Sequence, residues 1–132
     1  MSKWTHVNLV AELRFHECES RTELKEQVEE ALGDLSEYIT GSEGGVNWYV
    51  NVPKSHNSVL WEQGKDTYYW DTVYLTCAGH LRDRTKEQTE LEIKDFVEYK
   101  LARDFSEIRN LTYKVYADGE ELMRFREEKD GR

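Results

Sequence analysis

Two short spacings in this chain put metal-type ligands close together, His16-x-Cys18 and Cys77-x-x-His80. Imidazole and thiolate are the donors zinc prefers. The two pairs make one site only if the fold brings them to the same place. Other residues with chemistry to offer are more scattered. His56-Asn57-Ser58 has the His-x-Ser form that marks two-histidine phosphoesterases when it occurs twice, but here it occurs once. No glycine-flanked nucleophile turn accompanies it, so it reads as a surface histidine. Gly41-x-x-Gly44-Gly45 matches neither phosphate-cradling glycine pattern and reads as a loop. Arg82, Arg84 and Lys86 gather three cations at the expected start of a helix. A helix N-terminus is already partly positive, so such a cluster suits an anion: a phosphate, or a carboxylate from this chain or a partner. The plainer expectation is pairing with Asp83, Glu87 or Glu90.

Charge narrows the choice of partner. The formal net charge of the 132 residues is −9, from 27 acids and 18 bases. Nucleic acids are bound by cations that release counterions, so this balance opposes a nucleic-acid partner, and an anionic membrane surface is equally poor. The acids are unevenly placed. Glu17 to Glu43 holds nine acids against Arg21 and Lys25. Glu23, Glu26, Glu29 and Glu30 form an acidic ridge that suits a basic protein partner, or a solvated helix face. Cys18 and Cys77 do not make a disulfide framework. No long apolar run follows the N-terminus, so neither a signal peptide nor a membrane span is expected. These points together fit a reducing cytoplasm.

The elements that must position these residues follow from hydrophobic period. Val7, Leu9, Ala11, Leu13 and Phe15 alternate with polar residues, which predicts a strand over Thr5–Phe15 with one buried face. Ser20-Arg21-Thr22-Glu23 fits a capping box, and Leu24, Val28, Ala31, Leu32 and Leu35 continue at helical spacing to about Tyr38. Val46–Val52 alternates again and ends at Pro53. Lys54–Thr67 reads as a long polar loop, of a length often tied to function. Tyr68–Leu81 is a third strand, with Val73, Leu75 and Cys77 inward. Thr85 and Gln88 cap a second helix that runs to about Phe105. Asn110–Ala117 is a fourth strand. Asp118-Gly119 then turns into a short fifth strand to about Arg126. A two-residue loop there sets Val115 opposite Leu122. A three-residue loop sets Val115 opposite Met123 and Tyr113 opposite Phe125, and matches apolar to apolar. The charged tail from about 127 is expected to fray.

The order β-α-β-β-α-β plus a hairpin strand predicts a single α+β domain over 1–132, a ferredoxin-like split β-α-β sandwich with spatial strand order 4-1-3-2. Both helices would then cover one face of the antiparallel sheet, over Val7, Leu9, Val50, Val73 and Leu75. The other face would carry His6, Asn8, Asn47, Tyr49, Asn51, Trp70, Thr72 and Tyr74. In that layout the His16/Cys18 and Cys77/His80 pairs lie at opposite sheet ends, so no metal and no cofactor is expected. Open aromatic faces of this size tend to be covered. The expected interaction surface is therefore Tyr49, Trp70 and Tyr74 with Asn47 and Asn51.

Gly41-Ser42-Glu43-Gly44-Gly45-Val46-Asn47-Trp48-Tyr49-Val50-Asn51-Val52 and Gly79-His80-Leu81-Arg82-Asp83-Arg84-Thr85 resemble stretches of small uncharacterised proteins of tailed bacteriophages and prophages. The resemblance covers about the middle third of the chain. It implies a non-enzymatic accessory factor in the bacterial cytoplasm and assigns no catalytic residue. The leading expectation is a non-catalytic interaction module that binds itself, or a host or phage protein, through the aromatic face or the acidic helix. Two alternatives use the same face: a small-molecule-binding module or dimeric α+β-barrel-type enzyme that uses the sheet cavity with His6 and Tyr74, and a single-strand nucleic-acid binder that stacks bases on the rings.

Overall fold

The structure is a computed structural model. It describes residues 3–53, 59–63 and 66–117, with residues 59–63 and 66–69 described by their backbone pairing alone. The chain is α+β, with an antiparallel sheet and helices packed against it. In chain order the elements are β1 (Trp4–His16), α1 (Arg21–Ala31), α2 (Leu35–Tyr38), β2 (Thr40–Gly41), β3 (Gly44–Gly45), β4 (Asn47–Asn51), β5 (Val59–Gln63) and β6 (Asp66–Arg82). Then come α3 (Lys86–Asp95), a π-helical turn (Phe96–Leu101), α4 (Ala102–Asp104) and β7 (Glu107–Ala117). The sheet runs β4-β6-β1-β7, with β5 also pairing β6.

The alternation in β1 is realised residue by residue. Val7, Leu9, Ala11, Leu13 and Phe15 are all buried. They join Leu24 and Val28 of α1, Ile93 of α3, and Val50, Val73 and Leu75 of the neighbouring strands in one core. The Ser20 hydroxyl accepts from the Glu23 amide and starts α1. Thr85 and Gln88 form the reciprocal capping box of α3.

Several boundaries differ from the sequence reading. The first helix does not run unbroken to Tyr38. It stops at Ala31, and α2 resumes at Leu35. Glycine is a poor helix former, and the break at Gly33 lets Leu32, Leu35 and Ile39 all reach the core. The expected loop Lys54–Thr67 is not all loop, because β5 forms a hairpin with β6, Val59 opposite Trp70 and Gln63 opposite Asp66. The β-prone Val59-Leu60-Trp61 drives it. The fourth strand begins at Glu107 rather than Asn110. Val10 pairs Thr112 but Glu12 pairs Arg109, so β7 carries one extra residue there. Asn110 absorbs this bulge at φ 50°, a left-handed conformation that asparagine tolerates. The second helix widens into a π turn that sends Phe96, Lys100 and Leu101 inward together. Lys100 is buried there, 3.0 Å from Asp34 and 3.5 Å from Asp104. The expected C-terminal hairpin, its register with Met123 and Phe125, and the frayed tail lie outside the described residues, as does His56-Asn57-Ser58.

The glycine cluster after α2 is a packing device. β2 and β3 make a two-residue ladder. A Cβ on Gly45 would stand 1.8 Å from the Ser36 carbonyl oxygen, and Gly44 sits at φ 127°. Only glycine fits both demands.

Candidate functional site: the open face of the sheet

The strand registers lay out the uncovered face in rows. Across β7, β1, β6 and β4 one row reads Thr112, Val10, Thr76, Tyr49. The next, toward the C-terminal end of β1, reads Arg109, Glu12, Tyr74, Asn51. In the other direction come Lys114, Asn8, Ala78, Asn47 and then Tyr116, His6, His80. Arg14 pairs Thr72, and His16 pairs Trp70 at the far end. Three large side chains in the middle are open to solvent: Tyr49 at 61%, Val10 at 48% and Tyr74 at 42%. Asn47 and Asn51 are exposed and Trp70 is half-buried.

Tyr49 and Tyr74 are diagonal neighbours on adjacent strands, within reach of one ligand or partner side chain. Trp70 lies four residues further along β6. His6 and Tyr74 are not brought together. His6 faces His80 while Tyr74 faces Glu12, so about 20 Å of strand separates them at roughly 3.3 Å per residue.

His80 was expected beside Cys77 and is found beside His6 instead. Residues three apart in a strand point to opposite faces. Cys77 is accordingly buried in the core while His80 is exposed. The Nδ1 atoms of His6 and His80 are in hydrogen-bond contact. Their ring centroids are 4.6 Å apart with planes at 77°, and the Tyr116 ring lies 5.1 Å from His6 on the other side. Sequence reasoning named each histidine but not the pair, because the pairing depends on the register of β1 against β6.

Neither thiol is poised to react. Burial pushes the Cys77 thiol up to about 12. Cys18 rises to about 11, first through burial and then through the negative charges of Glu23, Asp71 and Glu17. Both are neutral core thiols at neutral pH, and a neutral thiol is a poor nucleophile. Cys18 is held in place from below, its amide donating to buried Asp71 at 2.8 Å. Asp71 anchors the β1–α1 connection, a role no sequence pattern announced.

The basic cluster is engaged by this chain's own carboxylates, the expected Asp83 among them. Arg82 pairs with Glu43 and reaches Asp83 at 4.0 Å. Arg84 Nε lies 3.0 Å from Glu92, whose other oxygen accepts from the Thr40 amide. Glu43 and Glu92 join Asp83 where Glu87 or Glu90 was the alternative: the Ser42 amide donates to the Arg82 carbonyl and brings the β2–β3 turn with Glu43 against the end of β6, while Glu92 comes from further along α3. Lys86 is half-buried in the first turn of α3. Along α1, Glu26, Glu29 and Glu30 are exposed. Glu23 belongs to the cap, accepting from the Glu19 amide and the Gln27 side chain.

One surface was missed altogether. A groove of about 590 Å³ runs between α3 and β7, lined by Leu91, Ile93, Val97, Leu111 and Tyr113 with Glu90 at its rim. The helical stripe of Ile93, Phe96, Val97 and Leu101 does not include Leu91, and only the placement of β7 beside α3 makes a groove. Among the described residues no three His, Cys, Asp or Glu side chains gather as a metal cluster, and no helix is long and apolar enough to cross a membrane. No protein-family model, curated protein or solved structure matches this chain.

Proposed function

We propose that this chain is a non-catalytic interaction module that associates with a second copy of itself through the open face of the sheet. The observation that carries the reading is the exposure of Val10, Tyr49 and Tyr74 around Thr76 on a face the helices leave bare. The row containing Val10 and Tyr49 has no charged member. A twofold axis along it would set this uncharged row against itself. Burying the two tyrosines there gains apolar area while each hydroxyl can keep a hydrogen-bond partner.

The finer fold reading belongs to the same proposal. Leaving aside the short strands β2, β3 and β5, the sheet order read from the β7 edge is fourth, first, third, second. This supports the split β-α-β plan, which leaves one sheet face without helices. The bacteriophage resemblance supports an accessory protein of the bacterial cytoplasm, with a host or phage protein as the alternative partner.

Light scattering on the purified chain tests the reading. The expected mass is that of a dimer, reduced to the monomer by Tyr49→Ala with Tyr74→Ala. A wild-type monomer across the accessible concentration range would overturn it. Salt-sensitive oligonucleotide binding that needs Tyr49, Trp70 and Tyr74 would favour the nucleic-acid alternative.

A further inference from the structure

We propose that His6 and His80 form a two-nitrogen chelating site for a divalent transition metal of the Zn2+, Ni2+ or Cu2+ type. The proposal does not depend on whether two copies associate. The two residues are direct cross-strand partners, and both project from the uncovered face. Opposed side chains on one face of a sheet have Cβ atoms about 5 Å apart, a span that two imidazoles can bridge through one ion. A metal–imidazole bond is about 2.0–2.1 Å long, which holds two nitrogens on one ion about 3 Å apart. The Nδ1 atoms of His6 and His80 already meet at hydrogen-bond range, so rotation of the rings, without movement of the strands, turns both lone pairs toward one ion.

The protons balance without an outside reagent. In the free pair one imidazole donates its Nδ1 hydrogen to the lone pair of the other. On metal binding that ring carries its proton on Nε2 instead, exchanged through solvent. Both Nδ1 atoms then present lone pairs to the ion, and no net proton is released from neutral rings. At acid pH protons compete for the same lone pairs and binding weakens.

Three features select the ligand class. Imidazole nitrogen suits zinc, nickel and copper, whereas magnesium and calcium seek oxygen. The Tyr116 ring against His6 limits the orientations that histidine can take, which lowers the ordering cost of chelation. Among the described residues no third His, Cys, Asp or Glu completes a metal cluster.

Calorimetric titration of Zn2+, and separately Mg2+, into the full chain tests the site. The expected result is one Zn2+ per chain at about pH 7.5, weakening toward about pH 5, with no Mg2+ binding. His6→Ala and His80→Ala should each lose roughly tenfold or more in Zn2+ affinity. His16→Ala, at the opposite end of the sheet, should lose none. His80 is exposed, so circular dichroism should show His80→Ala and His80→Gln folded as the wild type is. With Cu2+, electron paramagnetic resonance should show two equivalent imidazole nitrogens. No Zn2+ binding by the wild type, equal binding of Mg2+, or Zn2+ affinity unchanged in the double His6→Ala, His80→Ala variant would each overturn the proposal.

Discussion

The two faces of the sheet are made by the same strands and differ in almost every physical respect. On the covered face Leu13, Val73 and Leu75 are each 0% exposed. On the open face the residues one step away in sequence include Tyr74 at 42%. The covered face is held by non-directional burial, where each lost methylene leaves a void. The open face carries no such helix packing, and Val10, Tyr49 and Tyr74 stand exposed on it. Parity along β1 thus divides the two tasks: odd-numbered residues from Thr5 to Phe15 are buried in the fold, while the even-numbered Asn8 and Val10 are exposed and Arg14 is the buried exception.

Substitutions can sharpen or break that contrast. Leu13→Ala should cost roughly 2–5 kcal/mol, read as a lower urea midpoint. A loss under about 1 kcal/mol would mean the helices do not pack tightly over β1. Gly45→Ala should cost roughly 1–3 kcal/mol, because its Cβ cannot coexist with the Ser36 carbonyl and the backbone must shift. The thiols give a pH signature. An unfolded cysteine ionises near 9.0 while folded Cys77 holds its proton to about 12. The unfolded state thus loses its protons first, so stability should be full below pH 9 and fall as pH rises beyond it. In Cys77→Ala this alkaline decline should be shallower, checked by urea midpoints on either side of pH 9. Asp104 carries the opposite sign. The Arg103 hydrogen bond, with help from Lys100, holds its carboxyl below the usual range. Its contribution is present at neutral pH and lost on acidification. Asp104→Asn should therefore flatten the acid limb of the stability profile slightly, since Arg103 is exposed and solvent screens the pair. Smallest of all, Tyr49→Ala and Tyr74→Ala should leave the stability of the isolated chain within about 0.5 kcal/mol while changing its mass in solution. A large loss of stability from either would erase the distinction between the faces.

Much of this layout was legible in order along the chain. The parity of β1 and β6, the Ser20 and Thr85 caps, and the buried stripes of Leu24 and Val28 and of Ile93 and Phe96 all follow from short-range spacing. The same spacing foretold that Tyr49 and Tyr74 would point away from the core. It failed where a helix departs from its ideal period, at the Gly33 break and the π turn around Lys100. There, reaching the core matters more than local propensity. It also failed where partners are distant in sequence. Glu43 on Arg82, Asp71 under Cys18 and the groove beside Tyr113 each join segments that no local pattern connects.

The sequence by itself determined which side of each strand would be greasy, because side-chain direction alternates with every residue whatever lies alongside. Only the tertiary structure decided which residue faces which across the ladder. A pairing register is a property of two strands together, and a slip of one place would have set His6 beside Leu81 rather than His80. The histidine pair, the tyrosine row and the carboxylates on the arginines all depend on that register.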